Sequence, residues 1–163
     1  MSGIRLDGDI QRLTSTLSNL RNFNTIGLNQ TLGEALREST QGRFQNEEDP
    51  EGNKWQASIR AENEGGKTLS KTADLKNSIS SQANATGFAV GTNKIYANTM
   101  QEGGEWTIRA TTSKGLVFKI GERWIRKKEV KITMPKRKYI GISRGDMVEI
   151  RATLEEKIQE HVE

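Results

Sequence analysis

Residues 104–134 read GEWTIRATTSKGLVFKIGERWIRKKEVKITM, and this stretch decides the fold class. Apolar side chains recur at every second position: Trp106, Ile108 and Ala110, then Leu116, Phe118 and Ile120, then Val130, Ile132 and Met134. Period two puts alternate side chains on opposite faces of an extended chain, the signature of strands with one buried face. On this reading Trp106 and Phe118 share a face with aliphatic neighbours and belong to the core. Thr112-Ser113-Lys114-Gly115 is predicted as a hairpin turn between the first two strands. Gly121 to Lys128 is predicted as a wider, loop-like excursion, with Arg126, Lys127 and Lys128 solvated or docked on an acidic neighbour.

Away from this stretch the period becomes helical. Ile10, Leu13, Leu17 and Leu20 predict a helix over about 7–21 with one narrow apolar stripe. Leu28, Leu32, Ala35 and Leu36 predict a second, running to about Phe44. Asp49-Pro50-Glu51-Gly52 is a turn, because proline disfavours helix at the residue before it and glycine closes the reversal. From Gln45 to about Ser70 periodicity is weak, and a loop of that length in a compact domain is expected either to bind something or to be disordered alone. Thr72 is a plausible N-cap for a helix carrying Leu75 and Ile79 and ending near Gln82, and Phe88 to Thr92 reads as a short strand. Ser143-Arg144-Gly145-Asp146 has capping-box spacing ahead of Met147, Ile150, Leu154 and Ile158 on one helical face.

The expected fold class is α+β, with N-terminal helices, a central antiparallel sheet with a long hairpin, and a C-terminal amphipathic helix packed on the sheet. One domain over residues 1–163 is expected. It divides into a helical part (1–44), a long loop (45–70), a helix-plus-β part (71–141) containing a basic hairpin (107–134), and the last helix (143–163).

Composition narrows the function classes. Only 33% of the residues are apolar and 28% are charged, a lean mixture suited to a component that covers its surface with partners. There is no cysteine, so no disulfide framework, thiolate nucleophile or cysteine zinc site is expected. The start, Met1-Ser2-Gly3-Ile4-Arg5-Leu6-Asp7, does not resemble a secretory signal, and no run approaches the roughly 20 apolar residues of a membrane span. Cytoplasmic production and no membrane contact are expected. The net charge of +4 is unevenly distributed: residues 107–144 hold 12 basic and 2 acidic side chains, while residues 145–163 hold 2 basic and 6 acidic. Such segregation marks an electrostatic surface.

No catalytic constellation is present in the pattern. Gly65-Gly66-Lys67-Thr68 touches the phosphate-loop motif, but Ala61 stands where its first glycine is needed and the preceding residues are too polar for a central strand. The single histidine, His161, has no fixed serine or second ligand beside it. No catalytic residue, metal or cofactor is therefore expected. The basic hairpin, with Trp106, Phe118, Trp124 and Tyr139 interleaved, keeps a second class open, a nucleic-acid-binding module.

Three ordered landmarks point to a family. They are Asp49, Pro50 and Gly52 with Trp55; Gly91 and Thr92 with Tyr96, Ala97 and Gly103; and Pro135, Arg137, Tyr139, Ile140 and Gly141. Together, with a polar helix ahead and an amphipathic helix behind, they resemble the bacteriophage virion morphogenesis family, the tail completion proteins of Mu-type contractile-tailed phages. Glu51 replaces the family's usual Asp, and Lys138 stands where its second proline would be. The resemblance implies a non-enzymatic virion structural protein at the head-proximal end of the tail. It would complete or terminate the tail and help join it to the head. The implied partners are further copies in a homo-oligomeric ring, with a hexamer preferred, and tail tube and neck or connector proteins; transient DNA contact is an expectation from the basic hairpin. Candidate interface residues are Trp55, Tyr96, Arg126, Lys127, Lys128, Arg137 and Tyr139. Acidic ends and a basic middle are expected to pair head-to-tail between adjacent subunits.

Overall fold

A computed structural model describes residues 23–162, so the helix expected over 7–21 lies outside the described residues. In chain order the elements are α1 (Thr25–Asn46), α2 (Ile59–Glu64), α3 (Asp74–Asn77), β1 (Ser80–Asn84), β2 (Gly87–Gly91), α4 (Ala97–Glu102), β3 (Gly104–Arg109), β4 (Leu116–Ile120), β5 (Arg123–Lys127), β6 (Glu129–Met134) and α5 (Arg144–Val162). The class is α+β, as expected. Among the described residues all strand pairing is antiparallel, in three two-stranded ladders. The residues fall into two compact units.

Among the described residues the first unit comprises 23–42, Ile79–Gly91 and 142–162. Asn24 Oδ1 accepts from the Gly27 amide (2.9 Å), which satisfies one of the free donors at the start of α1. Strands β1 and β2 pair with Ser80 opposite Gly91 and Asn84 opposite Gly87. The Asn84 carboxamide oxygen closes their loop by accepting from the Thr86 and Gly87 amides (2.8 and 3.1 Å). This hairpin meets α1 at Gly33, where an added Cβ would lie 3.3 Å from Phe88 Cβ and 3.4 Å from Ser81 Cβ.

The capping box at α5 forms as the sequence predicts. The Ser143 amide donates to Asp146 Oδ2 (2.6 Å) and the Asp146 amide to Ser143 Oγ (3.0 Å). Asp146 is also the polar link to α1, accepting from Ser39 Oγ at 2.5 Å. Beside it Leu32, Ala35, Leu36 and Ile150 leave a cavity of only about 10 Å³, so the two helices pack closely. In the last turn of α5 His161 lies edge-on to Phe23, with ring centroids 5.4 Å apart.

The second unit comprises Arg43–Ser78 and Thr92–Gly141. The loop expected over 45–70 contains a helix of its own, α2. Ser58 Oγ accepts from the Ala61 amide (3.2 Å), and Gly65 ends the helix at φ +76°. Its six residues are too few for periodicity to reveal. The helix predicted from Thr72 to Gln82 is corrected: it stops at Asn77. Ser78 ends it by turning its amide and hydroxyl onto Leu75 O (3.2 and 2.7 Å), and the polar run from Ser80 pairs as a strand instead.

The long hairpin also differs from the reading in its connections. Strand β3 pairs with β6, and β4 with β5. The Thr112–Gly115 turn exists, with the Gly115 amide on Thr112 O (3.1 Å), but it kinks one side of a single ribbon. The reversal falls at Gly121-Glu122, between Ile120 and its partner Arg123, with Gly121 at φ +58°. Glycine with positive φ at the first loop position suits a two-residue hairpin turn. The segment expected as an excursion is therefore mostly β5.

Gly103 lies under tight constraint. Its φ is +68°, and an added Cβ would stand 2.6 Å from Met134 O and 2.7 Å from Lys136 N. Gly103→Ala should lower unfolding free energy by about 2 kcal/mol or more. Gly42→Ala, in open space on α1, should raise it by about 0.5–1 kcal/mol. Urea denaturation of both variants checks the pair.

Candidate assembly surface

Residues 135–141 belong to no helix or strand and pair with no strand among the described residues, so their backbone groups need other partners. The Arg137 amide donates to Met100 O (3.1 Å). Gln101 serves both sides of the backbone: its Oε1 accepts from the Tyr139 and Ile140 amides (2.9 and 3.1 Å), and its Nε2 donates to Ile140 O (2.9 Å). Trp55 Nε1 donates to Lys138 O (2.8 Å), and Arg43 Nη1 donates to Tyr139 O and Gly141 O (both 2.9 Å). Pro50 closes against Gly141, where an added Cβ would lie 2.6 Å from Pro50 Cγ.

The aromatic core grows from the same residues. Phe44 meets Trp55 edge-on (centroids 5.4 Å apart, planes at 82°) and Tyr139 at 5.1 Å. The Tyr139 hydroxyl donates to Ala97 O (3.0 Å). Burial, with the nearby Tyr96 adding to it, pushes the Tyr139 phenol up to about 12. The Asp49–Gly52 turn delivers Trp55 to this cluster. Asp49 Oδ1 and Oδ2 accept from the Asn53 amide and side chain (2.8 and 3.0 Å), Gly52 adopts φ +87°, and the Trp55 amide returns to Glu47 O (2.7 Å).

The candidate interface residues thus separate into two kinds. Trp55, Arg137 and Tyr139 are buried and organise the second unit from within. Tyr96 precedes α4 and is partly exposed, while Arg126, Lys127 and Lys128 are exposed on the ribbon. Lys138, where the resemblance would place proline, makes no hydrogen bond through its amide among the described residues. Its ammonium lies 3.7 Å from Glu51. Proline's missing donor would cost nothing there, which explains how the two residue types exchange. Lys67 and Thr68 tie down their loop, Lys67 Nζ on Gln45 O and the Thr68 amide on Glu47 Oε1 (both 2.6 Å).

The ribbon itself exposes both apolar and basic side chains. In its basal half one face carries Trp106 opposite Ile132 and Ile108 opposite Val130. The other face pairs Glu105 with Thr133, Thr107 with Lys131 and Arg109 with Glu129, and adds ion pairs Lys131–Glu105 (2.7 Å) and Arg109–Glu129 (3.3 Å). Amphipathic alternation is therefore as predicted, but the expected burial of Trp106 is corrected: it is 38% exposed, and every residue of β3 is exposed. A two-stranded ribbon supplies no second layer to cover its apolar face. Phe118, opposite Ile125, is half-buried.

The distal half changes character. Lys114, Lys119, Arg123, Arg126, Lys127 and Lys128 face a single acid, Glu122, and none of the six forms an ion pair among the described residues. Between them Trp124 is 73% exposed, with Val117 and Ile120 also open to solvent. The cations stand where the sequence shows them, but the residues around them, expected as a loop, are strand β5. The overlooked signal was Gly121-Glu122 between two alternating runs.

The model of the phage virion morphogenesis family matches residues 7–159. The chain belongs to that family. No curated protein and no solved structure matches it. A member of the phage virion morphogenesis family has a structural role in virion assembly, which is compatible with the absence of a catalytic pattern in the sequence. The protein is virion-associated, and among the described residues no helix is long and apolar enough to cross a membrane. Residues of all three landmarks meet within the second unit of this virion protein: Trp55 and Pro50 from the first, and Ala97 and Gly103 from the second, lie against the third, while Gly91 belongs to the first unit.

Tyr139 gives this cluster a pH signature. A phenol whose ionisation is displaced upward by folding contributes stability that is complete below pH 10 and lost as pH rises towards 12. Alkaline titration followed at 295 nm should show the Tyr139 phenolate appearing only with unfolding near about pH 12, whereas Tyr139→Phe should lack that late step.

Proposed function

We propose that this virion protein completes or terminates the tail at its head-proximal end and helps join it to the head. It acts without catalysis, as a subunit of a homo-oligomeric ring, hexameric by preference, between the tail tube and the neck or connector proteins. The observation that carries the reading is the ribbon, whose exposed Trp106 and Ile108 on β3, Val117 and Ile120 on β4 and Trp124 on β5 belong to a two-stranded arm that needs a partner to be stable. Its six unpaired distal cations complement α5, where Glu149, Glu155, Glu156 and Glu160 outnumber Arg144, Arg151 and Lys157. A basic arm and an acidic helix on every copy provide the two unlike surfaces of a head-to-tail ring.

One observation favours a second reading, contact with DNA. The distal cations occupy both faces of the ribbon, with Lys127 and Arg123 on one and Arg126 and Lys119 on the other, and a two-stranded ribbon fits a major groove. DNA affinity would then fall steeply with salt, by about 0.9 log unit per phosphate contacted for each log unit of salt.

Light scattering of the purified protein at about 50 mM and about 500 mM salt tests the ring. The wild type should form an oligomer that weakens with salt, and Arg126→Glu, Lys127→Glu and Lys128→Glu together should leave monomers with an unchanged thermal midpoint. Assembly indifferent to both would refute arm-mediated pairing. Particles assembled without the protein should show tails of abnormal length, or finished tails and heads that do not join; normal infectious particles would refute the tail role itself.

A further inference from the structure

The second unit contains a cavity of about 290 Å³ that the family assignment does not explain. Leu69, Leu75, Met100 and Met134 form apolar walls, Arg137 lies in the wall, and Lys71 stands at the exposed rim. None of the lining residues is acidic.

Arg137 is only 4% exposed, yet its guanidinium has no carboxylate partner among the described residues. Its Nε donates to Gln56 O at 2.8 Å, while Nη2 reaches Ala57 O at 3.4 Å and Nη1 reaches Met134 Sδ at 3.5 Å. Carbonyl and thioether acceptors satisfy some of its five donors but carry no countercharge. A buried cation left in this state retains a large desolvation cost, which an incoming anion with bidentate geometry would offset. Burial lowers the Arg137 pKa, in keeping with that uncompensated setting. Lys71 also has no ion-pair partner among the described residues. The volume falls at the lower end for cofactor sites and suits one or two side chains.

We propose that this cavity receives an acidic peptide segment of a partner protein, with its carboxylate on Arg137 and Lys71 and a neighbouring apolar side chain against Leu69, Leu75, Met100 and Met134. The recognition is electrostatic at one point and hydrophobic around it, so a neutral isostere of the same shape loses most of the affinity. The site belongs to the second unit alone and does not depend on ring formation.

Titration with N-acetylphenylalanine and with N-acetylphenylalaninamide, followed by the methyl signals of the four wall residues and the Arg137 Nε–H signal, tests this. The carboxylate should give saturable shifts at those signals, and the amide should bind about tenfold more weakly or less. Lys71→Glu, at an exposed residue, should weaken the carboxylate several-fold, leave the amide unchanged and leave the thermal midpoint unchanged. Arg137→Lys should weaken the carboxylate while retaining the fold. Equal binding of acid and amide, no shift up to about 10 mM, or shifts confined to the ribbon would overturn the proposal. Because the readout is direct binding, a monomeric protein that still binds the carboxylate would count against the ring alone.

Discussion

The second unit depends on how an irregular segment without a neighbouring strand satisfies its backbone. Residues 135–141 cannot use a ladder, so Arg43, Trp55 and Gln101 reach in from separate parts of the sequence to supply donors and acceptors. Each bond fixes a different distance along the chain: Arg43 spans 96 and 98 positions, Trp55 83, and Gln101 38 and 39. Long-range polar bonds of this kind hold irregular backbone in one geometry, because a buried carbonyl that loses its donor has no second partner available. Phe44 and Tyr139 then pack on a frame already determined by polar atoms.

Against this closed cluster the ribbon stands as its opposite. It has regular pairing but little burial, and its apolar side chains meet solvent from both the basal and the distal half. The charge distribution divides along the same line. Acids near the base are matched by cations within the ribbon, and the distal cations are unmatched. Matched charges fix a shape, whereas unmatched ones attract partners.

Much of this was legible in the chain. Alternation around Trp106 and Ile132 gave the strands, and the spacing of Ser143 to Asp146 gave the start of α5, because both signals are local and repeat with a fixed period. The connection of the strands was not legible, since Thr112–Gly115 and Gly121-Glu122 both carry turn chemistry and only pairing energy chooses between them. Burial was misread for Trp106 because alternation shows that a face is apolar without showing what covers it. The roles of Arg43 and Gln101 left no mark in the sequence: a polar residue that braces a distant carbonyl looks like any other surface residue. Arg137 was found as a candidate, but its burial without a countercharge is a property of three dimensions.

The kink between the two halves of the ribbon bears on how this protein can vary. Between the last pair of the basal ladder, Arg109 with Glu129, and the first of the distal ladder, Leu116 with Lys127, one side of the ribbon contributes Ala110 to Gly115 and the other only Lys128. The Ala110 amide still reaches Lys128 O at 2.8 Å, so the excess residues bow outward without unzipping the pairing beneath. Gains or losses of residues among 111–114 can be absorbed in that bow. A single insertion inside β4 would turn every following side chain to the opposite face. Lineages of this protein can therefore lengthen or shorten the arm at one place while the pattern of apolar and cationic positions beyond it stays in register.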